Sequence, residues 1–135
     1  MPGKAFFDTN VLVYAVAQDD PRTERAESLL MIGGVTSVHV LNEFVSIARR
    51  KIGMPWQDVD DALAAIRILA PSPMPITTET HEMALRVAQQ YRYQIYDALV
   101  IASALEANCD IVYSEDFHEG QAIDDRLTIR NPFIE

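Results

Sequence analysis

The sequence predicts an α/β domain: a central, mostly parallel sheet flanked by helices. Three observations carry this. Short runs of β-branched and aromatic residues alternate with helical patterns, the order that builds a parallel sheet. The chain has 135 residues, 49% of them apolar, which suits one domain (1–135) with a real core. One segment, "DALVIASALEANC", is apolar on nearly every face and therefore belongs at the centre.

The elements follow in order. "KAFFDTNVL" opens with a short strand from Lys4 to Phe7. "PRTERAESLLMIGG" reads as a helix with Pro21 in its first turn and Gly33-Gly34 at its end. Val35 to Ser37 is a short second strand. In "VHVLNEFVSIARRKIG", Leu41, Phe44, Val45, Ala48 and Ile52 form one helical stripe, and Gly53 stands where a C-terminal cap belongs. "PWQDVDDALAAIRIL" starts a further helix at Pro55, with acids placed to suit the positive end of its dipole. The proline-rich "APSPMPITTET" is a rigid connection holding a short strand near Met74 to Ile76. Helices in "THEMALRVAQQY" and "DALVIASALEANC" precede a strand at Ile111 to Tyr113, and "RLTIRNPF" carries a final strand that stops near Pro132.

Bulk properties narrow the function classes. No apolar run approaches the roughly 20 residues of a membrane span. "MPGKAFF" lacks the apolar stretch of a signal peptide, and Cys109, the single cysteine, leaves no internal disulfide. Together these predict a soluble, cytoplasmic protein. The net charge of −9 makes the chain a poor default binder of nucleic acid, whose phosphates attract Lys and Arg.

Polar residues nevertheless interrupt the first apolar stretch, "FFDTNVLVY". Ligands in open α/β sheets bind outside the carboxyl ends of the strands. Asp8 follows the first strand directly, and Asp116 lies three residues past the strand ending at Tyr113. Glu43 points away from the apolar stripe of its helix at about 100° per residue. Asp97 begins the all-apolar helix. Singly, each has an ordinary explanation: Asp8 or Asp97 as a helix cap, Glu43 as a solvated acid, Asp116 as turn chemistry. Jointly, clustered carboxylates raise one another's pKa unless a positive charge sits among them, and no Lys or Arg lies within these motifs. A hard divalent cation would serve, and oxygen-only ligands select Mg²⁺ or Mn²⁺. Thr9, Asn10 and Ser114 are placed to hold metal-bound waters or orient the acids.

"FFDTNVLVY", "NEF" at 42 to 44, "YDALVIASAL" at 96 to 105, "YSEDF" at 113 to 117 and the tail "IRNPF" are, in this order and spacing, similar to the PIN-domain ribonucleases, and among them to the VapC toxins of bacterial toxin–antitoxin pairs. The resemblance runs from about Ala5 to Phe133. It implies a PIN-like fold and hydrolysis of RNA phosphodiester bonds with a 5′-phosphate product. It also implies a metal site of Asp8, Glu43, Asp97 and Asp116, with Glu115 as the neighbour that competes for the fourth place. A small antitoxin partner and a homodimer come with the resemblance too.

Phosphate contact by so acidic a chain needs a local basic patch. "ARRKIG" offers Arg49, Arg50 and Lys51 beyond Glu43 on the same helix, three residues that also read as a solvated helix end favoured by the C-terminal dipole; Arg86 and Arg92 are further candidates. His39, His81 and His118 lack the short spacing of zinc ligands. A phosphotransferase of the haloacid-dehalogenase type would want a second acid at position 10, where Asn10 stands. The remaining alternative is a catalytically inert PIN-fold binding or regulatory module.

Overall fold

The computed structural model describes residues 3–134. Its elements are β1 (Ala5–Phe7), α1 (Thr9–Val16), α2 (Thr23–Ile32), α3 (Val38–Ile47) running into a π-helical turn (Ala48–Ile52), α4 (Trp56–Leu69), α5 (Thr78–Tyr91), α6 (Ile95–Glu106), β2 (Ile111–Tyr113), β3 (Ala122–Ile123) and β4 (Leu127–Arg130). The sheet order is β1-β2-β4-β3; the first three strands are parallel and β3 pairs antiparallel with β4.

Register puts Phe6, Val112 and Ile129 side by side across the parallel strands, all fully buried. Phe7 stacks on Tyr113 in the neighbouring row. Strands buried on both faces need helices on both, and the apolar α6 supplies one cover: Ala98 and Val100 to Leu105 are buried without interruption. Among the described residues, no helix is long and apolar enough to cross a membrane.

Three expectations change. The segments at Val35–Ser37 and Met74–Ile76 do not become strands but join the sheet by single parallel bridges, Phe6 to Val35 and Ser37 to Met74. The chain has no room for more: Ser37 already caps α3, its side chain accepting from the Val40 N–H, and Pro73 and Pro75 remove the donors on either side of Met74. Helix α2 starts at Thr23, so Pro21 lies in the preceding turn rather than inside the helix. Strand β3 was not anticipated. It forms because Asp124 and Asp125 both take positive φ (53° and 52°), the turn backbone that reverses a tight hairpin.

Gly53 ends the π-helical turn as expected, at φ 76° and ψ 29°, where a side chain would be strained.

Candidate active site

The ladder itself brings two of the acidic segments together. The Asp8 N–H donates to the Tyr113 carbonyl (3.0 Å) and the Ser114 N–H to the Arg130 carbonyl (3.0 Å), so the chain leaves β1 and β2 at one edge of the sheet. Asp8 turns into α1 there as its N-cap. One carboxylate oxygen accepts from the Thr9 N–H at 2.7 Å and the other from the Ser114 hydroxyl at 2.7 Å. The cap role and the site role coincide in this residue.

Asp8 is only 4% exposed. Burial raises its pKa from 3.8 to about 7; the Ser114 and Thr9 hydrogen bonds resist the rise, and the charges of Asp116 and Glu43 add to it. Beside it, the buried Thr9 hydroxyl has no hydrogen-bond partner. Asn10 is the connector. Its amide nitrogen lies 3.2 Å from Asp116 Oδ2, 3.4 Å from Ser114 Oγ and 3.5 Å from Asp8 Oδ2. Ser114 Oγ also accepts from the Asp116 N–H at 3.1 Å.

Asp97 sits in the first turn of α6, but the cap there is Gln94, whose side chain accepts from the Tyr96 N–H. Burial raises the Asp97 pKa; Gln94 opposes this, the charges of Asp116 and Glu43 reinforce it, and the nearby His39 offsets it in part. Glu43 is exposed on α3 and its charge reaches both Asp8 and Asp97. The four acids from four distant segments therefore share one electrostatic neighbourhood. They are not drawn tight: among the described residues, no three Asp, Glu, His or Cys side chains stand close enough to ligate one ion together.

Glu115 faces away from this group. It accepts a short hydrogen bond from the Tyr14 hydroxyl and lies 3.6 Å from Arg22. Arg22 in turn donates to Tyr14 Oη at 2.7 Å, covers the Tyr14 ring at 3.8 Å and pairs with Asp20. Burial and the Glu115 bond together push the Tyr14 pKa up to about 12. Tyr14, Arg22 and Gln94 went unnoticed in the sequence. Gln94 immediately before an apolar helix carries a weak capping signal, whereas nothing local announces a tyrosine bonded to a residue 101 positions away.

The side chains around Asp8 that could ligate a metal offer carboxylate, hydroxyl and amide oxygens, and among the described residues no Lys or Arg pairs with any of the four acids. That donor chemistry fits a hard divalent cation. Of the basic candidates, Arg49, Arg50 and Lys51 are exposed on the π-helical turn. Arg86 is engaged by Asp124 in a two-pronged pair (3.1 and 2.6 Å), and Arg92 caps α5 at φ 62°.

Comparison with known proteins identifies the family and the fold. The model of the PIN domain family matches residues 5–118. Among solved structures, the chain is similar to VapC20 of Mycobacterium tuberculosis, described as a sarcin-ricin loop cleaving toxin, with TM-score 0.65 and 22% identity over 84% of this chain and 92% of that one. It is similar to a chain of a toxin–antitoxin complex from Klebsiella pneumoniae, with TM-score 0.73 and 16% identity over 96% and 98%. It is also similar to a chain of VapBC2 from Rickettsia felis bound to a DNA fragment from their promoter, with TM-score 0.65 and 15% identity over 94% and 98%. No curated protein sequence matches the chain.

Proposed function

The chain belongs to the PIN-domain family, whose members of this kind are nucleases, and on that premise we propose that it is a Mg²⁺- or Mn²⁺-dependent endoribonuclease acting in the cytoplasm as the toxin of a type II toxin–antitoxin pair. One observation carries the reading: a buried, uncompensated Asp8 is tied through Ser114 and Asn10 to Asp116, within the electric field of Glu43 and under the same charges that act on Asp97.

Asp8, Glu43 and Asp97 would hold the principal ion, and Asp116 would complete a second ion's shell or orient the attacking water. Glu115 is committed to Tyr14 and Arg22, which favours Asp116 as the fourth acid. A bound Mg²⁺ supplies a lowered water pKa, a polarised phosphoryl oxygen and a stabilised leaving oxygen. The protein's own part is to keep the carboxylates aimed. Ser114 and the Thr9 N–H hold Asp8 by both oxygens, Asn10 spans Asp8 and Asp116, and Arg49, Arg50 and Lys51 offer charge to the RNA backbone.

Protein partners are supported by apolar surface. Met31 and Ile32 on α2 and Ile68 on α4 are 72%, 70% and 79% exposed. A mostly apolar groove of about 180 Å³ runs between these helices and α1, lined in part by Val16, Leu30, Met31, Ala65 and Ile66. Two of the solved relatives come from toxin–antitoxin pairs, which makes a small antitoxin the first partner to test and a second copy of the chain the next.

The wide spacing of the acids is the observation that favours the alternative, an inert PIN-fold binding module. Cleavage of RNA separates the two. Wild type should cut with Mg²⁺ or Mn²⁺, stop with chelator and stop in Asp97→Asn. Activity that survives both chelator and substitution sinks the metal-nuclease reading; no cleavage under any condition favours the inert module.

A further inference from the structure

The π-helical turn at the end of α3 carries Arg49, Arg50 and Lys51 in succession, all exposed. In a chain with 20 acidic and 11 basic residues, a run of three cations stands out. Among the described residues none of them meets a carboxylate within ion-pair distance, whereas Arg22, Arg86 and Arg130 all do. After the turn, Gly53 reverses the chain and α4 begins at Trp56, which lands against Arg49: the guanidinium carbon is 4.4 Å from the centroid of the indole ring. Arg49 is pinned there by donating to the Met54 carbonyl at 2.8 Å. Trp56 remains 57% exposed. Two open concavities flank the turn. One of about 280 Å³ is lined by Ser46, Ile47, Arg50 and Lys51; another, of about 500 Å³, includes Gly53, Met54 and Pro55, with Asp58 its one carboxylate.

An exposed indole backed by a guanidinium and flanked by unpaired cations is the chemistry that binds single-stranded nucleic acid: cations follow the backbone and aromatic faces stack bases. Building on the nuclease reading above, we propose that Trp56 and Arg49 form a base-stacking platform for a single-stranded stretch of the RNA that passes over the acid cluster. Glu43 lies six to eight residues before the cations on the same helical run, a rise of about 9–12 Å. That distance corresponds to roughly three stacked nucleotides at ~3.4 Å each. The protein-binding chemistry lies elsewhere. Ile68 is twelve residues along α4 from Trp56, about 18 Å away, and the groove between α2 and α4 is lined mostly by aliphatic residues, with Glu27 its one charged residue. A duplex has its base faces already stacked, so the platform selects unpaired RNA.

The test measures binding of a labelled single-stranded oligoribonucleotide and of a duplex of equal length, in chelator, for wild type, Trp56→Ala, Trp56→Phe and the triple reversal R49E/R50E/K51E. Circular dichroism confirms that each variant folds, and cleavage with Mg²⁺ is followed in parallel. Trp56→Ala should weaken single-strand binding roughly tenfold, raise KM rather than lower kcat, and leave duplex binding and the salt slope unchanged. Trp56→Phe should retain most of the affinity, and the triple reversal should flatten the salt dependence. If wild type binds and cleaves RNA and Trp56→Ala binds it equally well, the platform is refuted and the nuclease reading stands. If wild type neither binds nor cleaves RNA, the nuclease reading fails and the platform with it. If Trp56→Ala keeps its RNA affinity but loses a self-association that sedimentation detects in wild type, the surface is a protein contact and the proposal is overturned.

Discussion

Replacing Asp8 by Asn should make the metal-free protein more stable at pH 8 while removing its activity. The carboxyl has a pKa near 3.8 when unfolded and about 7 in the native protein, where burial disfavours its charge. A raised folded pKa means that native protein holds the proton more tightly than unfolded chain. Stability from this group is thus complete below pH 3.8 and is lost as pH climbs through 7. A shift of about three units at ~1.4 kcal/mol each gives a penalty of about 4 kcal/mol at pH 8, falling to between about 1 and 2 kcal/mol at pH 5. Asn keeps the oxygen that accepts from the Thr9 N–H. Its amide must replace an acceptor of the Ser114 hydroxyl and meet the Asn10 amide 3.5 Å away, at a cost of about 1 kcal/mol.

The net expectation is a gain of about 3 kcal/mol at pH 8 that nearly vanishes at pH 5. For a chain of this length that is a rise in Tm of about 10 °C at pH 8. Differential scanning calorimetry in chelator, on variant and wild type at both pH values, measures it; taking the difference cancels most of what the other acids contribute. Adding Mg²⁺ should stabilise wild type and leave the variant unmoved, since a ligand that binds only the native state raises stability by mass action. A variant less stable than wild type at pH 8 without metal, or a gain that does not shrink with acid, would show that Asp8 is not the strained charge described above.

Two further outcomes follow from the neighbouring contacts. Tyr14→Phe removes the hydroxyl that joins Arg22 to Glu115, so the segment carrying Ser114 and Asp116 should loosen; the midpoint of a Mg²⁺ titration followed by Tm should move several-fold higher, and an unmoved midpoint would make the Tyr14 contact irrelevant to the site. Cys109 is buried, and burial pushes its thiol pKa up to about 11, so an aromatic disulfide reagent should react slowly with native protein and quickly in denaturant; rapid native labelling would contradict the packing under α6.

Much of this was legible because two rules act at the level of single segments. Alternation of strand and helix gives the parallel sheet, and the position of a residue just past a strand gives its edge, so Asp8 and the 114–116 segment could be assigned to one rim from spacing alone. The exact strand pattern was less accessible. Val35–Ser37 has strand composition, yet Gly33-Gly34 and the Ser37 cap leave it one bridge long. The β3 hairpin turns on two consecutive aspartates at positive φ, a residue pair that reads as solvated charge unless the flanking Ile123 and Leu127 are weighed with it. Side-chain partnerships across the chain were beyond reach. Glu115 and Asp116 are adjacent acids in sequence, and only the fold shows one bonded to Tyr14 and the other to Asn10.

The overall charge of −9 and an RNA substrate are compatible once distance is considered. At physiological salt the screening length is about 8 Å, so a phosphate beside the π-helical turn responds chiefly to Arg49, Arg50 and Lys51 and only weakly to acids on the far helices. Glu43 is the nearest opposing charge on the same helical run, and a dication held by the acid group would offset part of the local negative charge. Phosphate attraction would then depend on metal at one end of α3 and on fixed cations at the other. Neither end needs the molecule as a whole to be basic, so the net charge of −9 is no argument against the proposed RNA substrate.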